Sequence, residues 1–244
     1  MALLLGIDTG GTYTDAVLHD EDVAPPGIIA KAKSLTTHHD LAIGIAGALD
    51  GVLAKAPADA AIGLVSLSTT LATNALVEGR GGRVCLILIG FDSAALERAG
   101  LGAALAGDPV AFIAGGHDAV GNRQAPLDRA ALAEAVAAHG DFVDGFAVVA
   151  HFGTRNPEDE EVARTDIIAA TGLPVTCGHD LSAALNGPKR ALTAVLNARL
   201  IGMIAGLIAA AESMLSARGI NAPLMLVRGD GSLVAGDFAR ARPI

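Results

Sequence analysis

Gly6-Ile7-Asp8-Thr9-Gly10-Gly11-Thr12-Tyr13-Thr14-Asp15 is the stretch on which the fold turns. The apolar run Leu3 to Asp8 reads as a short strand, Gly10-Gly11 as a tight turn, and Thr12 to His19 as the returning strand of a hairpin. Such a hairpin delivers Asp8 to the rim of a sheet. Its two glycines let the backbone approach an anion closely, and Thr9, Thr12 and Thr14 add hydroxyls. It can therefore cradle phosphates. Asp8 would hold Mg²⁺ through water, because magnesium keeps most of its hydration and takes few carboxylates beside phosphate oxygens, and Asp15 joins the residues that bind the nucleotide. Neither phosphate-loop nor dinucleotide-fold spacing applies, since no Gly-Lys-Ser/Thr follows and no helix starts directly after the glycines. The plainer alternative is a type I′ turn with polar neighbours, although two acids and three threonines exceed what a turn requires.

Working outward, Ile28 to Lys33 reads as a third strand, and helical spacing runs from His39 to Ala54 until Pro57 stops it. Ile62 to Ser68 is an apolar strand leading straight into Thr69, Thr70 and a short helix through Val77. After the glycine turn Gly79 to Gly82, Arg83 to Ile89 reads as a strong strand and Ser93 to Leu105 as a helix, whereas the Gly-, Pro- and Asp-rich residues 107–127 read as a loop. Helix 128–138, strand 145–150, helix 157–171 and strand 173–177 then alternate, which implies right-handed crossovers and a parallel sheet. A long helix over 189–217 leads past Gly219 to strand 223–227, the turn Gly229-Asp230-Gly231 and a hairpin. The expected architecture is α/β, with one unit made of 1–78 and 145–244 and a βα segment, 79–144, inserted in it.

Composition narrows the function. A formal charge of −9 without any Lys/Arg cluster opposes nucleic acid and anionic membranes as partners. A small anion gripped by backbone N–H groups stays compatible with it. Cys85 and Cys177 lie far apart in apolar runs and read as buried hydrophobes, which suits a reducing cytoplasm. Met1 to Ile7 lacks the positive flank and the apolar length of a secretory signal. The long apolar stretch 191–217 is interrupted by Asn197, Arg199 and Glu212, and an Arg near a bilayer centre costs about 2.5–3.5 kcal/mol, so a buried helix is expected rather than a span.

Asp8-Thr9-Gly10-Gly11-Thr12 resembles the first phosphate motif of the actin, hexokinase and heat-shock chaperone superfamily, and the longer form through Asp15 resembles the hydantoinase/5-oxoprolinase N-terminal region. Ser68-Thr69-Thr70-Leu71-Ala72-Thr73-Asn74-Ala75-Leu76 with Gly81-Gly82-Arg83-Val84 is similar to that family's threonine-rich helix entry and glycine turn. Asn156-Pro157 with Glu160 after His151, and Arg190, Thr193, Asn197 and Ala198, extend the likeness along most of the chain. The resemblance implies a ribonuclease H-like, actin-like ATPase fold with a hairpin-led mixed sheet flanked by helices. It also implies ATP-dependent opening of a cyclic amide such as hydantoin or 5-oxoproline, usually with a second subunit or domain. Phosphoryl transfer to the amide oxygen would create a leaving group and let water attack the carbon, and ATP's phosphates need positioning and charge neutralisation for that. By the same resemblance the end of strand 62–68 faces the phosphate hairpin, so Thr69, Thr70 and Asn74 could touch the γ-phosphate or the substrate. Simple N-capping by Ser68 or Thr69 is the equal alternative.

The remaining polar clusters carry weaker readings. Gly116-His117-Asp118 and Gly178-His179-Asp180 would ligate a metal only if their loops converged, and solvated turns are the commoner outcome. His151 reads as a hydrogen-bonded structural histidine, Glu158 to Glu161 as acids favoured by a helix dipole, and Arg190, Thr193 and Asn197 either as a seam facing an ATP cleft or as an internal network. The fold's second phosphate hairpin and its adenosine motif do not occur in the sequence, so the resemblance implies a chain stopping before the second half and prone to self-association. A small-molecule kinase of the same fold would place an Asp where Ser68-Thr69-Thr70 stand, which counts against it. A non-catalytic ATPase-type chaperone or scaffold is the third alternative.

Overall fold

The computed structural model describes residues 2–22, 27–37, 39–57, 60–79, 81–229 and 231–243. Arg80, Asp230 and Ile244, which belong to the two glycine turns and to the chain's end, lie outside them. In chain order the elements are β1 (Ala2–Thr9), β2 (Tyr13–Asp20), β3 (Gly27–Leu35), α1 (Leu41–Leu53), β4 (Ala61–Thr69), α2 (Leu71–Val77) and β5 (Val84–Ile89). A 3-10 turn (Ser93–Glu97), α3 (Leu101–Leu105), β6 (Val110–Ile113), α4 (Arg129–His139), β7 (Gly145–Ala150), α5 (Glu158–Thr171) and β8 (Val175–Cys177) follow. The chain closes with α6 (Gly178–Leu181), α7 (Gly187–Ser216), β9 (Leu224–Val227), β10 (Leu233–Ala235) and α8 (Gly236–Ala241).

Two compact units result, Met1–Arg80 with Met203–Ile244, and Gly81–Gly202. The first is built on a mixed sheet in the order β10-β9-β4-β1-β2-β3, in which β1 pairs antiparallel with β2 and parallel with β4. Period-2 alternation gives that sheet one apolar face: Leu3, Leu5 and Ile7 of β1 and Ala16 and Leu18 of β2 are all buried. Helix α1 covers this face with Ile45, Ala48, Leu49 and Val52. Its start is capped by Asp40, whose side chain accepts from Ala42 N at 3.0 Å. The helix lies unusually low over β3, because a Cβ at Gly44 would stand 2.8 Å from the Leu35 carbonyl oxygen. The C-terminal end of α7 is tied to α1 through Arg218 and Asp50, 2.7 Å apart.

The second unit carries a four-stranded sheet, β6-β5-β7-β8, with every pairing parallel. β5 and β7 are buried along their whole length, the pattern of central strands covered on both faces. On one face Cys85, Ile87, Phe146 and Val148 meet Leu132 and Val136 of α4 and Ala163 and Ile167 of α5. On the other, Leu86, Leu88 and Val149 meet Leu101 and Leu105 of α3 and Ala191, Ala194, Val195 and Ala198 of α7. Both cysteines are free and buried, and burial pushes the Cys85 thiol up to about 12. α7 is long and apolar enough to cross a membrane, but half of its most apolar window is buried inside the protein.

The hairpin-led mixed sheet flanked by helices agrees with expectation, whereas the unit boundary does not. β7 and β8 were expected in the first unit with 79–144 inserted, yet β7 pairs with β5 over six residues, so the inserted unit extends to Gly202 and the first resumes inside α7. An all-apolar strand needs neighbours on both edges and cover on both faces, and β5 supplies one edge while β8 supplies the other. The helix expected over Ser93 to Leu105 is split, because Arg98 is extended while Ala99 (φ 57°) and Gly100 (φ 68°) turn left-handed. The expected loop 107–127 contains β6, whose four residues complete the sheet edge.

Candidate functional site

The rim of the first sheet gathers the sequence-predicted residues unevenly. Asp8 stands directly across from Asp15 on β2 and from Ser68 on β4, and Asp15 stands across from Lys33 on β3. Residues opposite one another share a face, so Lys33, Asp15, Asp8 and Ser68 form one polar row over four strands. Ser68 Oγ donates to Asp8 Oδ1 at 2.6 Å, and Lys33 Nζ lies 3.2 Å from Asp15 Oδ1. Like charges directly opposite destabilise a sheet. The Asp8–Asp15 pair is thus a standing cost that a cation between the two carboxylates would relieve.

Gly10 and Gly11 form the tip next to this row, closed by Gly10 N donating to Tyr13 O at 2.9 Å. Neither glycine has left-handed backbone, so the type I′ alternative, which needs positive φ at both central residues, does not hold. A Cβ on Gly10 would lie 3.2 Å from the Tyr13 carbonyl and 3.8 Å from Thr70 Oγ1, and one on Gly11 would lie 3.4 Å from Asn74 Nδ2. The tip therefore sits beside α2, with Thr12, Thr70 and Asn74 exposed around it. At Gly11 the contact is an ordinary one. This chain's own packing does not demand a glycine there, whereas the close approach of a ligand would.

Three predicted hydroxyls are not offered at the tip. Thr14 is fully buried beneath α1, its hydroxyl 3.0 Å from that of Thr36, because odd and even residues of β2 point to opposite faces and Thr14 shares its face with the core. Thr9 lies on that buried face as well, and its Oγ1 has no partner among the described residues. Thr69 donates its hydroxyl proton to Thr9 O at 2.8 Å and accepts from Leu71 N at 3.0 Å. It straps β4 to β1 and caps α2, which is the capping alternative.

In the second unit Arg190 and Asn197 are buried structural groups: Arg190 donates to the carbonyls of Ala150 (2.9 Å) and Ala184 (2.8 Å), and Asn197 Nδ2 to Thr176 Oγ1 (3.0 Å). Thr193 turns back onto Lys189 O of its own helix. The acids of α5, read as dipole partners only, do far more. Asp159 accepts from Gly116 N at 2.7 Å and Arg123 Nη1 at 2.9 Å, while Glu160, fully buried, accepts from Ala150 N (2.8 Å), His179 N (3.0 Å) and His179 Nδ1 (2.6 Å). Together they fasten the loops that follow β6, β7 and β8. The one sequence signal for Glu160 is its place in the Asn156-Pro157 stretch noted above as a resemblance.

Among the described residues, Glu160, Cys177 and His179 offer ligand atoms within 4.8 Å of one another, and neither His117 nor Asp118 belongs to the group. Asp118 accepts from the amides of Val120 and Asn122, which holds its carboxyl below the usual range. His179 is clamped between Glu160 and Glu161 Oε1 at 3.0 Å, and its imidazole is held above the ordinary value, first by the hydrogen bond to Glu160. Arg164, paired with Asp180 and Glu161, adds a second cation. This donor set suits a protonated histidine inside an ion cluster, not a metal ligand.

A pH dependence follows. The folded pKa of His179 lies above its unfolded value, so its contribution to stability is complete below about pH 6.5 and is lost as pH rises through the folded value. Urea unfolding as a function of pH is expected to show stability falling above about pH 6.5, with His179→Gln removing that part of the slope. A variant with an unchanged slope would refute it.

The hydantoinase/oxoprolinase N-terminal region family matches residues 4–171. Caprolactamase subunit alpha of Pseudomonas jessenii is 28% identical over 263 aligned residues, covering 98% of this chain and 37% of that subunit. The crystal structure of the ATP-dependent caprolactamase from Pseudomonas jessenii superposes with a TM-score of 0.72 at 27% identity, over 96% of this chain and 36% of its own. Nucleotide-free acetone carboxylase, from a study of ATP-dependent acetone carboxylation, superposes with a TM-score of 0.78 at 19% identity over 99% of this chain and 38% of its own, a likeness of fold. The chain thus spans little more than a third of the relatives it matches. The glycine hairpin beside a threonine-rich helix entry, on a mixed sheet, is what that match covers, and the chain belongs to the hydantoinase/oxoprolinase N-terminal region family.

Proposed function

We propose that this chain is the nucleotide-gripping N-terminal part of an enzyme that couples ATP to the opening of a cyclic amide or imide of the hydantoin or 5-oxoproline type. The observation that carries the reading is the opposed pair Asp8 and Asp15 beside a hairpin tip at which Gly11 meets only an ordinary contact. Magnesium fits this donor set, since two carboxylates on one face can hold a hydrated ion and offset their mutual repulsion. When bound it neutralises phosphate charge. Gly10 and Gly11 would let the backbone approach the phosphates, with Thr12, Thr70 and Asn74 as polar neighbours and Ser68 orienting Asp8. The ATP dependence of the caprolactamase relative supports this reading, and the length it has beyond the match supports a second domain or subunit that completes the site.

The γ-phosphoryl group would pass to the amide oxygen as ADP leaves, water would add to the activated carbon, and phosphate would depart. The test uses the complete protein with Mg²⁺-ATP and a panel of hydantoin, 5-oxoproline, caprolactam and open-chain amides, with ADP and ring-opened product measured together. At least one cyclic amide is expected to raise ADP release in proportion to ring opening. Phosphorylation of an alcohol, or turnover indifferent to every cyclic amide, would favour the kinase or scaffold alternatives.

A further inference from the structure

The second unit has a cavity of its own at the end of its parallel sheet. It measures about 240 Å³ and is walled by Phe91, Leu185 and Pro188, with Arg98, His151 and Asn186 as its polar groups. That volume is room for about eight waters, which suits a small molecule and not a nucleotide. Phe91 follows β5 and His151 follows β7, so the cavity lies beyond the carboxyl ends of two adjacent parallel strands, where open α/β sheets bind ligands.

The electrostatics of the cavity are one-sided. No carboxylate lines it. The Arg98 guanidinium makes no ion pair or side-chain hydrogen bond with a described residue. Beside His151, Arg190 is 1% exposed and donates to the carbonyls of Ala150 and Ala184, with Nε unpartnered among the described residues, while the buried Glu160 carboxylate acts on it without a close ion pair. A buried guanidinium that no carboxylate contacts directly projects positive potential into the space next to it, even with Glu160 acting on it from further off. His151 registers that potential: burial first, then the Arg190 charge, pushes its imidazole below the ordinary value and keeps it neutral at pH 7, able to donate one hydrogen bond. Its ring is held edge-on to Phe91 at 5.3 Å and tilted against Phe152 at 4.6 Å. Asn186 uses Oδ1 to accept from Lys189 N at 3.1 Å, which leaves its amide NH₂ without a described partner.

A positive, half-apolar cavity in a chain of net charge −9 selects one chemistry. We propose that it binds a small organic carboxylate, with the carboxylate meeting Arg98 and the donors of His151 and Asn186 and the carbon skeleton lying on Phe91 and Leu185. This stands apart from the nucleotide reading, because no residue of the hairpin takes part in it. The same chemistry would serve a ring bearing a carboxylate or an open-chain acid, and the test separates the two.

Imidazole resonances of His151, assigned with a His151→Gln variant, are followed in the 244-residue chain during titration with 5-oxoproline, butyrate and uncharged 2-pyrrolidinone at matched ionic strength. Saturable shifts are expected with at least one carboxylate, with a dissociation constant in roughly the millimolar range for so few atoms. 2-Pyrrolidinone is expected to leave them unmoved, and Arg98→Gln to weaken the carboxylate about tenfold or more. A response to 5-oxoproline alone marks a ring-bearing ligand, and one to butyrate an open-chain acid. The proposal fails if neither carboxylate saturates, if 2-pyrrolidinone binds equally well, or if Arg98→Gln binds as the parent does.

Discussion

Changing Asp8 to Asn in the complete protein is expected to cut Mg²⁺-dependent ATP turnover by roughly 100-fold or more, the scale on which losing one preorganised electrostatic group acts. Folding should survive the change. The Asn side-chain oxygen can still accept from Ser68 Oγ, and removing one charge from the Asp8–Asp15 pair relieves a cross-strand repulsion, so stability should stay level or rise by about 0.5 kcal/mol. Steady-state ADP release and urea unfolding measure the two parts. Full turnover in a folded variant would remove Asp8 from the site. A collapse of stability would mean that Asp8 serves the sheet and not a ligand.

The largest stability effect is expected in the second unit, at Glu160. Glu160→Ala strips acceptors from Ala150 N, His179 N and His179 Nδ1 at once, two of them backbone groups with few alternatives. It also leaves the charged His179 without its nearest counter-ion. Removing one partner of a buried pair costs about 3–5 kcal/mol. Glu158→Ala, two residues earlier in the same helical turn but exposed and paired only with Arg123, should cost less than about 1 kcal/mol. If urea unfolding finds the two variants alike, Glu160 is not the clamp its geometry describes.

Much of the fold was legible because its signals are local. The hairpin announces itself through Gly10-Gly11 between two alternating strands, and β5 and β7 through runs with no polar residue. The partition into two sheets was not legible, since βα alternation says that strands are parallel without saying which sheet they join. Ala99 shows why the expected helix over Ser93 to Leu105 broke: a left-handed alanine has no signature in sequence. For the site, residue type located Asp8, Asp15, Thr12, Thr70 and Asn74 at one rim, but face decides use, and the buried face claimed Thr9 and Thr14. Glu160 was missed for a related reason. Four consecutive acids at a helix start look alike, and only packing distinguishes the two that are buried, Asp159 and Glu160.

The insertion of one unit within the other has a bearing on the order of synthesis. Val65 of β4 pairs with Leu224 of β9, so the inner edge of the first sheet cannot close until residues 224–227 have been made. At about 5–20 residues per second, the apolar edge of β4 waits roughly 10–30 s for its neighbour. The second unit is contiguous and can be complete before that. Of the two units, the first is thus the later to finish, and during the wait its β4 edge is open to any strand that passes.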